Sequence, residues 1–353
     1  VETDAVIAQS HIDRRRFLAL VASWSCLPVL GARAAGTGIE RLSIIVGGTA
    51  GSNTDRTIRA FGTLAQNLLP GTRIDVEDQG GTNGMQALNN LFSASPDTPT
   101  LAVLEAAQIY AILEGDEAGA NHYASLNIIG SMGADCQVLF VSTATGIKNV
   151  KDLGETTVPL INPTNSIQGG TTVLSLVLNA MTGSRIKPVP GYNSTDHKLA
   201  LMSGEVNTAI GSISSLSDLV DQGLLVPILR FNDAGDNASL AALPTFRSIA
   251  KGKDAGLIVD LVETVSNANR IFFAQAGLPA EQVATLRGVF DAVTADPQFA
   301  KAAGVPAVKV AAKSSAQTTA TIGRLLDERE ALRAALKAAL ACGNALNNNQ
   351  TCT

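Results

Sequence analysis

The chain has 353 residues, 46% of them apolar, and carries 31 acidic against 26 basic side chains for a formal net charge of −5. That balance excludes nucleic acid as a partner, because such a surface needs a basic stripe. The length exceeds what one hydrophobic core ordinarily serves and predicts two domains.

At the start, Arg14-Arg15-Arg16-Phe17-Leu18 opens an apolar run to Leu30 that is too short to span a bilayer and closes at Ala32-Arg33-Ala34, a small-x-small cleavage pattern. An export signal over residues 1–34 is expected, with a mature chain from Ala35, and Arg14 and Arg15 before Phe17 and Leu18 fit the twin-arginine route. Bulky Trp24 makes the residues before Cys26 a poor lipobox. Removing this segment leaves 22 basic and 28 acidic side chains and three cysteines. Cys136, in a strand-like run, reads as a buried small hydrophobe. Cys342 and Cys352 bracket a short tail and are expected to pair in an oxidising compartment. No Cys-x-x-Cys or histidine cluster points to a metal, and no cofactor is expected.

The chain is organised around Leu42 to Leu69. Leu42 to Val46 is a short apolar strand, and Ile58, Phe61, Ala65 and Leu68 share one face of a following helix. Between them lies Gly47-Gly48-Thr49-Ala50-Gly51-Ser52-Asn53-Thr54-Asp55. Glycine lets the backbone approach a ligand, and Ser, Asn, Thr and Asp start helices. The free amides and positive end of the new helix make this half of an anion-binding cleft. A dinucleotide site is the competitor, since Glu77 and Asp78 end the next strand, but Gly-x-Gly-x-x-Gly cannot be placed on Gly47, Gly48 and Gly51. A sharp turn without any ligand is the plainer alternative.

Strand and helix then alternate. Arg73 to Glu77 is a strand, Gly80-Gly81-Thr82-Asn83-Gly84 a second glycine-rich turn, Met85 to Phe92 a helix and Leu101 to Leu104 a buried strand. Further on, Val158 to Ile161 reads as a strand, Asn162 to Thr171 as a polar loop, and Val173 to Met181 as an apolar helix face. Another helix ends at Ser203-Gly204-Glu205, before a strand from Val206 to Ile210. This pattern predicts an α/β fold with an open sheet and functional loops at the carboxyl ends of its strands.

Thr54-Asp55 and Arg59 after the first loop, Gly80-Gly81 with Gly84, Tyr192 followed by Leu199 to Asn207, Leu243-Pro244-Thr245, Ala276 to Glu281 and Ala295-Asp296-Pro297 stand in an order that resembles the Bug/TctC family over residues 40–313. These are substrate receptors of tripartite tricarboxylate transporters. The resemblance implies a two-domain periplasmic-binding-protein (type II) fold with a ligand cleft between the domains. Domain 1 would hold residues 40–142 plus 268–313, and domain 2 residues 143–267. It implies a non-enzymatic periplasmic receptor, acting as a monomer, that closes on a small organic acid and delivers it to integral membrane transporter subunits. A periplasmic ligand sensor, or an enzyme using the same cleft, are the alternatives. Carried over residue by residue, the ligand set is Thr49, Ser52, Asn53, Thr54 and Asp55 in the first loop, Asn165, Ser166, Gln168, Gly170 and Thr171 in the second, with Tyr192 and Ser212 completing the wall.

The chain departs from the family where prolines and an aromatic usually stand, at Gly47, Gly48 and Thr49, and where Gly191 precedes Tyr192. An acid common after the strand is replaced by Gly211-Ser212. These changes point to a wider or wetter pocket. Each residue has a plainer reading too: Asp55 as a helix-dipole partner, Asn165 and Thr171 as caps, Arg59 as an ion-pair partner, and His122 and His197 as isolated residues. No catalytic constellation is recognisable. Residues 314–353 are expected to form one amphipathic helix from Ala316 to Ala341 and a mobile tail at Asn347-Asn348-Asn349.

Overall fold

The computed structural model describes residues 38–80, 84–105, 108–115, 123–133, 136–235, 237–304 and 312–352. The expected export signal, Gly81 of the second glycine-rich turn, and His122 lie outside these residues.

The first half holds β1 (Arg41–Val46), α1 (Asn53–Leu68), β2 (Arg73–Asp78), α2 (Met85–Phe92), β3 (Thr100–Leu104), α3 (Gln108–Glu114), β4 (Asn127–Gly133) and β5 (Gln137–Ser142). There follow β6 (Leu160–Thr164), α4 (Gly170–Thr182), β7 (Ile186–Pro190), α5 (Ser194–Ser203), β8 (Thr208–Ser212), α6 (Ile213–Asp221) and β9 (Leu225–Arg230). The rest is α7 (Ala238–Ala241), α8 (Phe246–Ile249), α9 (Ala255–Asn267), β10 (Ala268–Ala274), α10 (Ala280–Ala295), α11 (Pro297–Ala302), β11 (Lys313–Ser314), α12 (Ser315–Asp327) and α13 (Arg329–Asn347).

Six strands form one sheet in the order β11-β4-β10-β3-β1-β2. β1 runs parallel to β2 and β3, whereas β10 is antiparallel to β3 and β4. The sheet is thus parallel on the side that carries the first loop and antiparallel where the chain returns from far along the sequence. Ile58, Phe61 and Ala65 of α1 are buried against it, while Leu68, expected on the same face, is 44% exposed in the last turn.

A three-stranded antiparallel sheet, β8-β5-β9, and the parallel pair β6-β7 make up the other strands. Side chains join them where a backbone ladder is missing. The Ile210 amide donates to Asn162 Oδ1 (3.0 Å), and the Ile161 amide to Asn207 Oδ1 (2.9 Å). Asn162, placed in a loop by the sequence reading, is a fully buried strand residue whose amide also donates to Ser175 Oγ (2.8 Å). An unpaired amide so deep would cost stability, so these asparagines complete the sheet.

The carboxyl end differs from the single helix expected. It breaks at Glu328 into α12 and α13, and Leu332, Ala335, Leu336 and Ala339 are buried. α13 packs along α4 and also reaches α3 and α9. Arg333, a charged residue of this helix, donates from Nε to the Leu113 carbonyl in α3 (2.6 Å). The asparagine tail is held: Asn179 Nδ2 donates to Asn347 Oδ1 (3.0 Å), and Cys342 is bonded to Cys352.

Gly343 allows this packing, because a Cβ there would collide with the Leu176 carbonyl of α4. Since the obstacle is backbone, it cannot swing aside. Gly343→Ala is expected to cost about 1–3 kcal/mol, the range for overpacking, read as a lower urea midpoint. An unchanged midpoint would mean that α13 does not sit on α4 in solution.

Candidate functional site

The first loop leaves the carboxyl end of β1 and is shaped by its own side chains. The Gly47 amide donates to the Val103 carbonyl (2.9 Å), extending the β1–β3 pairing by one residue. Gly51 has φ +76, a left-handed turn that glycine adopts without strain. Ser52 caps α1 by accepting from the Asp55 amide (3.2 Å). Gly80 stands behind the loop, where a Cβ would meet the Gly48 carbonyl at 2.6 Å, so its backbone is pressed against the first loop.

Asp55 is only 4% exposed, and both its carboxylate oxygens are occupied. Oδ2 accepts from the Gly51 amide (2.8 Å) and Oδ1 pairs with Arg59 Nε (2.6 Å). Arg59 also grips Asp78 (2.5 Å), so two acids share one guanidinium. Burial pushes the Asp78 carboxyl above its ordinary pKa, against the opposing pull of Arg59. In this structure Asp55 therefore holds the loop's shape. Asn53 similarly accepts from Arg56. Thr49 is exposed at the tip, and Thr54, 4% exposed, donates from Oγ1 to Glu105 Oε1 (3.0 Å).

The second loop leaves β6 and opens α4 behind Gly169, with no side-chain cap. Gly169 has no side chain with which to cap the first-turn amides of α4. Gly169 allows the tight turn because a Cβ would strike Asn165 Oδ1. The Thr172 hydroxyl donates to the Ser166 carbonyl (2.7 Å), and Thr171 lends its carbonyl to Ser175 Oγ (2.8 Å). The Ser166 hydroxyl is buried and has no hydrogen-bond partner among the described residues. Gln168 lies on a groove of about 280 Å³ that it shares with Leu340 and Asn344 of α13.

Tyr192 is tied to this loop by its amide, which donates to the Thr164 carbonyl (3.0 Å). Its hydroxyl donates to Glu205 Oε1 (2.5 Å), and that bond raises the phenol's pKa. The hydroxyl expected to reach a ligand is engaged with Glu205 in this structure. Ser212, at the end of β8, lies 2.6 Å from Ser215 Oγ and begins α6. The structure thus groups Thr49 to Asp55 around one helix amino-terminus and Asn165 to Thr171, with Tyr192, around another.

Sequence reasoning missed Glu105 and Arg270. Glu105 immediately follows β3, and Arg270, 8% exposed, brings Nε to 3.4 Å from Thr54 Oγ1. A lone arginine within the apolar run Ala268–Ala274 was the available signal. Among the described residues, no group of three or more metal-ligating side chains forms a site, and no helix is long and apolar enough to cross a membrane.

No protein-family model matches the chain, and no curated protein matches its sequence. Solved structures do match. A TctC solute-binding protein from Polaromonas aligns over 83% of this chain and 97% of its own, with TM-score 0.60 and 15% identity. MatC from Rhodopseudomonas palustris, solved with bound malate, covers 85% of this chain and 99% of its own at TM-score 0.62 and 15% identity. A second Rhodopseudomonas palustris protein, solved with adipate, covers 85% and 97% at TM-score 0.64 and 16% identity. At such identity the likeness establishes the fold: a two-domain α/β fold of the periplasmic-binding-protein type, with the TctC and Bug proteins among its structural neighbours.

Proposed function

We propose that this protein is a periplasmic receptor that closes on a small organic carboxylate and delivers it to a tripartite tricarboxylate-type membrane transporter. The observation that carries the reading is the pair of glycine-built loops at the carboxyl ends of β1 and β6, each opening a helix whose first-turn amides suit an anion. Malate and adipate in two neighbours of the same fold support that ligand class. The enclosed Ser166 hydroxyl supports it as well, since a buried donor without a partner suits a ligand oxygen. In this reading residues 40–142 plus 268–313 form one lobe and 143–267 the other, residues 1–34 direct export, and the protein performs no chemistry on what it binds. Thr54 and Thr171, with the neighbouring amides, grip the carboxylate. Hinge closure creates the surface that the membrane partner distinguishes from the open form.

The test is a thermal-unfolding screen of the chain from Ala35, stripped of ligand by unfolding and refolding, against mono-, di- and tricarboxylates, amino acids and nucleotides. A ligand at a hundred times its Kd should add about 2.7 kcal/mol, a rise of several degrees. The shift should be confined to carboxylates and lost in Thr54→Ala or Thr171→Ala. A response to NAD alone, or to no acid at all, would overturn the assignment. Calorimetry suits the follow-up better than tryptophan fluorescence, because Trp24, the sole tryptophan, precedes Ala35.

A further inference from the structure

A cavity of about 210 Å³ is lined by no residue of the carboxylate site proposed above. Arg230 to Asp233 at the end of β9, Thr245 ahead of α8, and Glu263 and Asn267 of α9 form it. Its walls are fixed by bonds. The Arg230 amide donates to the Pro244 carbonyl (3.0 Å), which ties β9 to the segment that opens α8. Asn232, 5% exposed, accepts from the Gln137 amide at Oδ1 (2.6 Å) and donates from Nδ2 to the Ser266 carbonyl (3.2 Å). One side chain thus joins β9 to β5 and α9. Phe231 packs against Phe246 with ring centroids 5.6 Å apart. A cavity held open in this way receives a ligand with little reorganisation.

The opposite charges in this lining do not meet. Arg230 Nη1 donates to the Asn232 carbonyl (2.9 Å), while Nε is enclosed and has no hydrogen-bond partner among the described residues. Among those residues no carboxylate pairs with it either: Glu263 is held by Arg247 (2.7 Å), which also takes Asp260 (2.5 Å). An enclosed donor left unpaired on a charged group is a cost to the fold that a ligand oxygen would remove. Asp233 is exposed, and its Oδ1 accepts from the Gly235 amide (3.2 Å), so Oδ2 stays outside that bond. Thr245 is the parallel bridge partner of Arg230, and its Oγ1 accepts from the Ser248 amide (3.1 Å), which leaves the hydroxyl proton for another acceptor. A simple anion here would satisfy Arg230 and face two acids. A simple cation would do the reverse. A molecule carrying both charges a few bonds apart answers both and adds no net charge. The volume, below the roughly 300–1,000 Å³ of drug-sized sites, restricts the occupant to a small molecule.

We propose that this cavity is a second ligand site, for a free α-amino acid whose carboxylate is taken by Arg230 and Thr245 and whose ammonium is taken by Asp233. The guanidinium supplies the charge and the threonine hydroxyl a second donor beside it, so the carboxylate is held in one orientation. The site stands or falls separately from the receptor reading, because none of its residues belongs to the glycine-built loops.

The experiment is calorimetric titration of the chain from Ala35 with each standard amino acid in turn, and with acetate and methylamine as the separated halves. At least one amino acid should bind, and neither half should match it. Because an amino acid is itself a carboxylate, the response belongs to this cavity only if it survives Thr54→Ala and Thr171→Ala. Arg230→Gln should weaken it about ten- to hundredfold, the loss expected of a charge-assisted hydrogen bond. Asp233→Asn should weaken it about three- to tenfold, less because the acid is exposed. As a surface change, Asp233→Asn should leave the ligand-free unfolding temperature within about a degree of wild type, so it decides the matter if Arg230→Gln fails to fold. Binding of no amino acid, equal binding of acetate, or an affinity unchanged in Asp233→Asn or in folded Arg230→Gln would overturn the proposal. A response abolished by Thr54→Ala or Thr171→Ala would place the amino acid at the glycine-built loops, overturning the second site and leaving the receptor reading standing.

Discussion

Phe290→Ala is expected to destabilise the protein by about 3–5 kcal/mol, the range for emptying a fully enclosed phenyl site. Phe290 on α10 is 0% exposed and packs with its ring centroid 5.1 Å from that of Phe272 and 6.2 Å from that of Phe61. Phe61 in turn meets Phe299 (6.4 Å), so four rings from α1, β10, α10 and α11 share one core beneath the sheet. The ring also lies against bare backbone, because a Cβ on Gly130 of β4 would collide with it. Gly130→Ala alone should therefore overpack the site and cost about 1–3 kcal/mol. In the Phe290→Ala background the same methyl should enter the vacated space and cost much less. Urea unfolding of the four proteins would give that coupling as a double-mutant cycle, and strictly additive costs would mean that Phe290 does not face Gly130. Since whole domains hold only about 5–15 kcal/mol, the single substitution is expected to lower the folded population visibly at physiological temperature.

How far the sequence discloses this molecule depends on whether the signal is local. The first strand and the capped helix behind Ser52 are written in neighbouring residues, and the structure has them within a residue or two of expectation, whereas the second loop begins three residues later than expected, after Thr164. The Asp55–Arg59 pair was legible as an i,i+4 contact, but not its second acid, because Asp78 arrives from β2. Asn162 read as a loop residue and Asn207 as a strand residue, because nothing in their own segments shows that each will cap a strand of the other. The break at Glu328 carries no glycine or proline, so the amphipathic pattern runs through it unmarked. Arg270 is the extreme case. Its meaning comes from a register slip against β4 and from Thr54, which lies 216 residues away in sequence.

His197, isolated in the sequence, provides a pH prediction of comparable size. Its Nε2 is enclosed and has no hydrogen-bond partner among the described residues, and burial lowers its pKa from the model-peptide value of 6.5 to about 4. The neutral ring is tolerated in the fold, whereas the charged one would have to shed its hydration without gaining a partner. The sign follows from proton counting. Between the two pKa values the unfolded chain binds a proton at this residue and the folded chain does not, so stability is lost as pH falls. The contribution is fully present above about 6.5, declines through that interval and is gone below about 4, a difference of roughly 3 kcal/mol. Asp75 and Asp152, whose carboxyls are held below their ordinary range by Arg73 and by the Lys148 amide, add their own loss in acid. Comparison with His197→Leu removes that background, since the carboxylates are common to both proteins. The variant should unfold with a flatter pH dependence between 6.5 and 4, approaching or overtaking wild type at the acid end. Parallel curves for the two proteins would mean that His197 finds solvent or a partner when charged, and is not enclosed as the structure has it.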